Sequence, residues 1–113
     1  MRIVNLTPHT VTIFVDEDRV VHFAPSGTVA RCTTQRSNSS ELLTEDHGTI
    51  PITELSYGDA SLPVQHPDVI YIVSILVAQG SNRSDLYVID EEIRNDQGVI
   101  VGAKRLGKLR HTY

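Results

Sequence analysis

Apolar and polar residues alternate along much of this chain, the pattern of strands covered on one face by a core. Met1–Leu6 (MRIVNL) has extended character and is broken by Thr7-Pro8-His9. Val11, Ile13 and Val15 alternate with Thr12 and Phe14, and Arg19–Ala24 (RVVHFA) returns after the polar turn Asp16-Glu17-Asp18, which predicts a hairpin. Pro25-Ser26-Gly27 reads as a second turn, because proline pre-sets φ and glycine is free to take positive φ. Thr28–Thr34 (TVARCTT) reads as a third strand, completing an opening meander.

The polar run Gln35–Gly48, with Ser37, Asn38, Ser39 and Ser40 at its start, reads as a long hairpin tip or lid, or as a short strand extension around Leu42-Leu43. Thr49–Leu55 (TIPITEL) alternates again, and Pro51, which cannot donate to a ladder, predicts an edge strand. Beyond Pro67-Asp68 the pattern changes. Val69–Val73 is continuously apolar, as in a strand covered on both faces. Ser74 is a plausible N-cap for a short helix over Ile75–Gln79 ended by Gly80, and Leu86–Ile89 resumes as strand after a polar loop. This is the outline of a compact parallel crossover; one long bent strand is the alternative. Glu92–Arg94 and Val99–Ala103 flank Asn95-Asp96-Gln97-Gly98, a hairpin turn with Gly98 suited to a left-handed conformation. The expected fold is α+β and mostly β: a meander or partly closed barrel-like sheet with one short helix in a strand-helix-strand crossover.

The 113 residues, 40% hydrophobic and 21% charged, fit one globular domain over 1–113 rather than a disordered chain. With no tryptophan and six Phe and Tyr in all, the core must rest on Val, Ile and Leu. A lone cysteine, Cys32, excludes an internal disulfide and a four-cysteine zinc site. The net charge of −4 argues against general nucleic-acid binding. That charge is uneven: residues 104–113 carry four bases and no acid, while residues 1–103 hold six bases against fourteen acids. This basic C-terminal tail is either a solvated terminus or a contact for phosphate, anionic lipid or the acidic body of a neighbouring subunit. The opening MRIVNLTPHT lacks the features of a signal peptide, and the longest apolar stretch, residues 69–78, is about half the roughly 20 residues of a membrane span. No membrane association and a cytoplasmic location are the expectation.

The histidines, His9, His22, His47, His66 and His111, stand singly without metal-ligand spacing, so neither a metal nor another cofactor is expected. Cys32 beside Arg31 reads as a structural thiol, with a reactive thiolate the alternative. No nucleophile elbow or phosphate loop occurs, and no catalytic residue is assigned. Two segments hold the candidate ligand-binding residues. In Asn5-Leu6-Thr7-Pro8-His9, a proline-fixed bend surrounded by Asn5, Thr7 and His9 either binds a ligand or satisfies its own backbone. In the second, Ser74 would lie at the carboxyl end of a parallel strand, where α/β arrangements gather ligands, with helix amides facing an anion. Arg83 and Asp85 belong to the loop at the other helix end, serving an adjacent subunit or forming a surface ion pair.

With Asn5-Leu6-Thr7-Pro8-His9 at the start, Tyr71-Ile72-Val73-Ser74 in the middle and Arg83-Ser84-Asp85-Leu86 after it, the chain resembles a group of small phage- and prophage-encoded proteins described without an assigned activity. The resemblance implies no catalytic mechanism; small phage proteins often act by binding, including the sequestration of nucleotide signals. Taken together, these readings give a non-enzymatic, self-associating cytoplasmic protein, in a bacterial host if phage-encoded, that holds a small anionic, nucleotide-like ligand. Thr7 and His9 would hydrogen-bond the ligand, Arg31 or Arg83 would neutralise its phosphate, and Tyr71 would stack on a base. The alternatives are a protein–protein interaction module, as a phage structural component or host-enzyme inhibitor, and a small metal-dependent hydrolase using His9 with an acid such as Asp85.

Overall fold

The computed structural model describes residues 1–57 and 61–110. Among the described residues eight strands and one helix follow in the order β1 Arg2–Asn5, β2 Val11–Asp16, β3 Arg19–Phe23, β4 Thr34–Leu43, β5 Thr49–Tyr57, β6 Val69–Ile72, α1 Ile75–Gln79, β7 Leu86–Arg94 and β8 Ile100–Gly107. Six strands form one sheet in the order β1-β6-β7-β8-β2-β3, and β4 pairs with β5 alone. A bridge between Asn5 and Pro25 brings the exit of β3 back to the end of β1, so the six-stranded sheet curls into a partly closed barrel. The mostly-β α+β fold, with one short helix in a crossover, is as the sequence predicts.

The crossover is real: β6 and β7 run parallel, with Tyr71 opposite Leu86 and Ile72 opposite Tyr87, and α1 connects them. Ser74 caps α1, its Oγ accepting from the Val77 amide at 3.4 Å. Gly80 closes it with φ −82°, so the helix ends without the left-handed turn for which glycine is usually selected. The continuous apolar run in β6 has a physical reason. Successive strand residues point to opposite faces, and both faces here are covered. Tyr71 and Val73 join Leu6, Val77, Leu86 and Val88 in a core beneath the helix. Ile72 joins Val11, Ile13 and Ala103 in a second core, with Ile3, Phe23, Ile89 and Leu106 packed around it.

One expectation about the sheet is corrected. Thr28–Thr33 is not a strand of the sheet. Its alternation places Ala30 in the core under α1 and Cys32 against the same cluster, but its backbone crosses the end of β1 and meets it through one bond, Ala30 N–H to Leu6 O at 3.0 Å. Buried alternation therefore arises there without a ladder. The 35–48 segment supplies one strand and the tip of a long hairpin: β4 is ten residues long and pairs with β5 from Thr34–Tyr57 to Leu43–Thr49, with a bulge at Asn38. The turn at its end is tied by Thr44, whose N–H and hydroxyl both donate to Gly48 O, and Gly48 takes φ +70°. The other sheet expectations hold. Strand β5, carrying Pro51, is an edge, and Gly98 adopts φ +79° in the β7–β8 turn, where Asn95 Oδ1 accepts from the Gln97 and Val99 amides. The basic segment begins inside the sheet, since Lys104 and Arg105 lie in β8; its last three residues, including His111, fall outside the described part.

Candidate functional site

The opening turn and the exit of β6 meet. Thr7, His9 and Ser74 line one cleft of about 570 Å³, together with Thr10 and Thr12, the end of β6, Val88, Ile89 and Glu92 of β7, and residues 100–103 of β8. Its wall is dominated by aliphatic side chains, among them Ile72, Val73, Val88 and Ile89, while Ile75, Ile100 and Val101 at its rim are 50%, 42% and 45% exposed. Among the described residues Glu92 is the only acid lining it, and no Lys or Arg does.

The polar groups around the cleft divide into those already satisfied and those open to a guest. Asn5 is buried, 2% exposed. Its Nδ2 donates to His9 O at 2.7 Å and Phe23 O at 2.9 Å, and its Oδ1 accepts from the Thr7 amide at 2.9 Å and the Thr7 hydroxyl at 2.7 Å. Both donors and both lone pairs are used, so Asn5 locks the turn and the barrel closure and has nothing left for a ligand. The Thr7 hydroxyl has spent its single proton in the same network. Thr12 pairs with His22 Nδ1 at 3.0 Å. The exposed side chains of His9, Thr10 and Ser74 remain to meet a guest.

The remaining predicted residues lie elsewhere. Arg83 lies past the far end of α1 and is bound twice to Asp85, Nε to Oδ1 at 3.0 Å and Nη2 to Oδ2 at 2.7 Å, with Nη1 donating to Pro63 O at 2.6 Å. Asp85 is 5% exposed and the Arg83 side chain 24%. The hydrogen bond to Asp85 raises the Arg83 pKa above its ordinary value, although burial opposes it. Tyr71 is buried under this pair: its hydroxyl donates to Val64 O at 3.2 Å and the guanidinium lies 5.9 Å from its ring centroid. Together Tyr71, Arg83 and Asp85 pin the 63–64 segment to the sheet, with Tyr71 in the core rather than in the cleft. Arg31 is exposed and does not line the cleft. The eight residues therefore form three separate arrangements, and the cations expected to receive a phosphate stand away from Thr7, His9 and Ser74.

Sequence reasoning missed the cleft's aliphatic wall and the closeness of Gly102, where a Cβ would overlap the Phe14 ring. The signal was present in Val99-Ile100-Val101, an apolar run on a strand that carries more exposed than buried side chains. Cys32 is partly buried, its thiol donating to Leu76 O at 3.5 Å. Among the described residues no three His, Cys, Asp or Glu side chains come together as metal ligands, and no helix is long and apolar enough to cross a membrane. Comparison with protein-family models, with curated proteins and with solved structures finds no match for this chain.

Proposed function

We propose that this chain is a small non-enzymatic binding protein whose cleft takes a compact, largely apolar organic molecule, with a neutral polar end directed at His9, Thr10 and Ser74. The observation that carries this reading is the lining among the described residues: aliphatic side chains around about 570 Å³, the His9 and Thr10 side chains with the free hydroxyl proton of the capping Ser74, and no Lys or Arg. Ligand sites combine an apolar wall with a few convergent polar groups in this way. A nucleotide-like anion would leave its phosphate without a cation and beside Glu92, so the expected ligand shifts from anionic to neutral. Function as a cytoplasmic protein of the phage-encoded group that the opening turn resembles belongs to the same proposal.

The test is a titration with neutral aromatic and aliphatic alcohols and, in parallel, with adenine nucleotides, followed by amide chemical shifts. Shifts of Thr10, Ser74 and Val101 with the alcohols and not with the nucleotides support the reading. Saturable shifts with the nucleotides alone overturn it. The second reading, a protein–protein interaction module, is favoured by one specific feature, the β4–β5 hairpin that stands clear of the sheet.

A further inference from the structure

The β4–β5 hairpin cannot be explained by the chain on its own. Among the described residues, every side chain over 34–56 except the half-buried Thr44 is exposed, and the two strands pair only with each other. The molecule extends 56 × 39 × 30 Å with a radius of gyration of 18.1 Å, against about 13 Å for a compact domain of this length. A solitary two-stranded hairpin is at best marginally stable in water. This one also presents apolar side chains on one face: the pairs Leu42–Ile50 and Ser40–Ile52 are successive same-face positions, and Leu42, Ile50 and Ile52 are 52%, 43% and 40% exposed.

Charge identifies what covers that face. Residues 34–57 carry Arg36 against Glu41, Glu45, Asp46 and Glu54, a net −3. Residues 104–110 carry Lys104, Arg105, Lys108 and Arg110 and no acid. Among the described residues only Arg105 of these four has a carboxylate partner, Glu91 at 3.1 Å. Complementary surfaces of opposite sign steer and register association, and here both belong to one sequence. We propose that the β4–β5 arm is an assembly arm: its Leu42–Ile50–Ile52 face packs on a second copy of this chain, with its acids against that copy's 104–110 basic run. Pro51 removes one backbone donor from β5 and disfavours continuous strand addition along that edge, which fits packing through side chains on a face.

A charge exchange in the full chain tests this. The variants E45K/D46K/E54K and K104E/K108E/R110E change only exposed side chains, with Glu54 on the same face as Ile50 and Ile52, and circular dichroism checks that each is folded. Sedimentation velocity of the wild type should show a dimer or larger assembly. Each variant alone should associate more weakly, by on the order of tenfold or more, because like charges then face each other. An equimolar mixture of the two should recover the wild-type mass, since both contacts are again complementary. The variant L42T/I50T/I52T, which keeps strand-forming residues, should also weaken association. A wild type that is monomeric at every concentration, a charge variant that assembles as the wild type does, or a mixture that stays monomeric would each overturn the proposal.

Discussion

Replacing Asn5 is the most informative single perturbation, because one buried amide joins the opening turn to the closure of the barrel. In Asn5→Ala four hydrogen bonds of 2.7–2.9 Å disappear. The Thr7 hydroxyl can turn fully to His9 O, 3.0 Å away, which offsets one loss. At about 1 kcal/mol per intramolecular bond, the remaining three give a destabilisation of about 3 kcal/mol, or about 12 °C in Tm for a domain of this size. Asn5→Asp sharpens the test. The carboxylate keeps the Thr7 contacts but faces the carbonyls of His9 and Phe23, which need donors. Burial and that repulsion raise the folded-state pKa of the introduced acid above its unfolded value of about 3.9. The folded state then holds the proton to higher pH than the unfolded state, so stability falls as pH rises between the two values. Asn5→Asp should therefore be at least as destabilised as Asn5→Ala at pH 7 and regain much of the deficit near pH 4. Urea unfolding of both variants and wild type at the two pH values measures this. An Asn5→Ala cost below about 1 kcal/mol, or an Asn5→Asp deficit that is independent of pH, refutes the assignment of Asn5 as the lock of the turn.

Further outcomes follow from other contacts. Asp85→Ala strands a guanidinium that is only 24% exposed and should cost about 2–3 kcal/mol, below the figure for a fully buried pair because Arg83 can turn partly to water; a double-mutant cycle with Arg83→Met should return a favourable coupling, and additivity would deny it. Gly102→Ala drives a methyl group into the Phe14 ring and should cost about 1–3 kcal/mol, with Phe14→Ala in the same chain costing less than the sum of the single changes. Glu91 has φ +54° within β7, a conformation that strains side chains with a Cβ. Glu91→Gly should leave stability unchanged or raise it by about 1 kcal/mol, despite losing the exposed contact with Arg105, and thermal unfolding decides the sign.

Much of the local structure was legible because it is written in local chemistry. Ser74 and Gly80 bracket a short helix, Asn95 and Gly98 bracket a tight turn, and the unbroken Val69–Val73 run marks a strand with two covered faces. The Thr28–Thr33 error has the opposite cause: Ala30 and Cys32 alternate toward a core, yet whether a neighbouring strand offers its backbone is a property of the tertiary arrangement. The candidate site was half legible for the same reason. Pro8 and its polar neighbours advertise a fixed turn, and Ser74 advertises a strand end, but nothing in the spacing says whether Arg83 faces that turn or Asp85.

Local chemistry alone specifies a β-rich sheet interrupted by one crossover helix, because the period of apolar residues, the caps and the turn glycines act over a few residues. Folding in three dimensions settles that Asn5 closes the sheet upon itself, that Arg83 is held by Asp85 and Pro63, and that residues 34–57 stand clear as an arm. Those outcomes depend on which distant groups compete for the same hydrogen bonds and charges, and that competition exists only once the chain has folded.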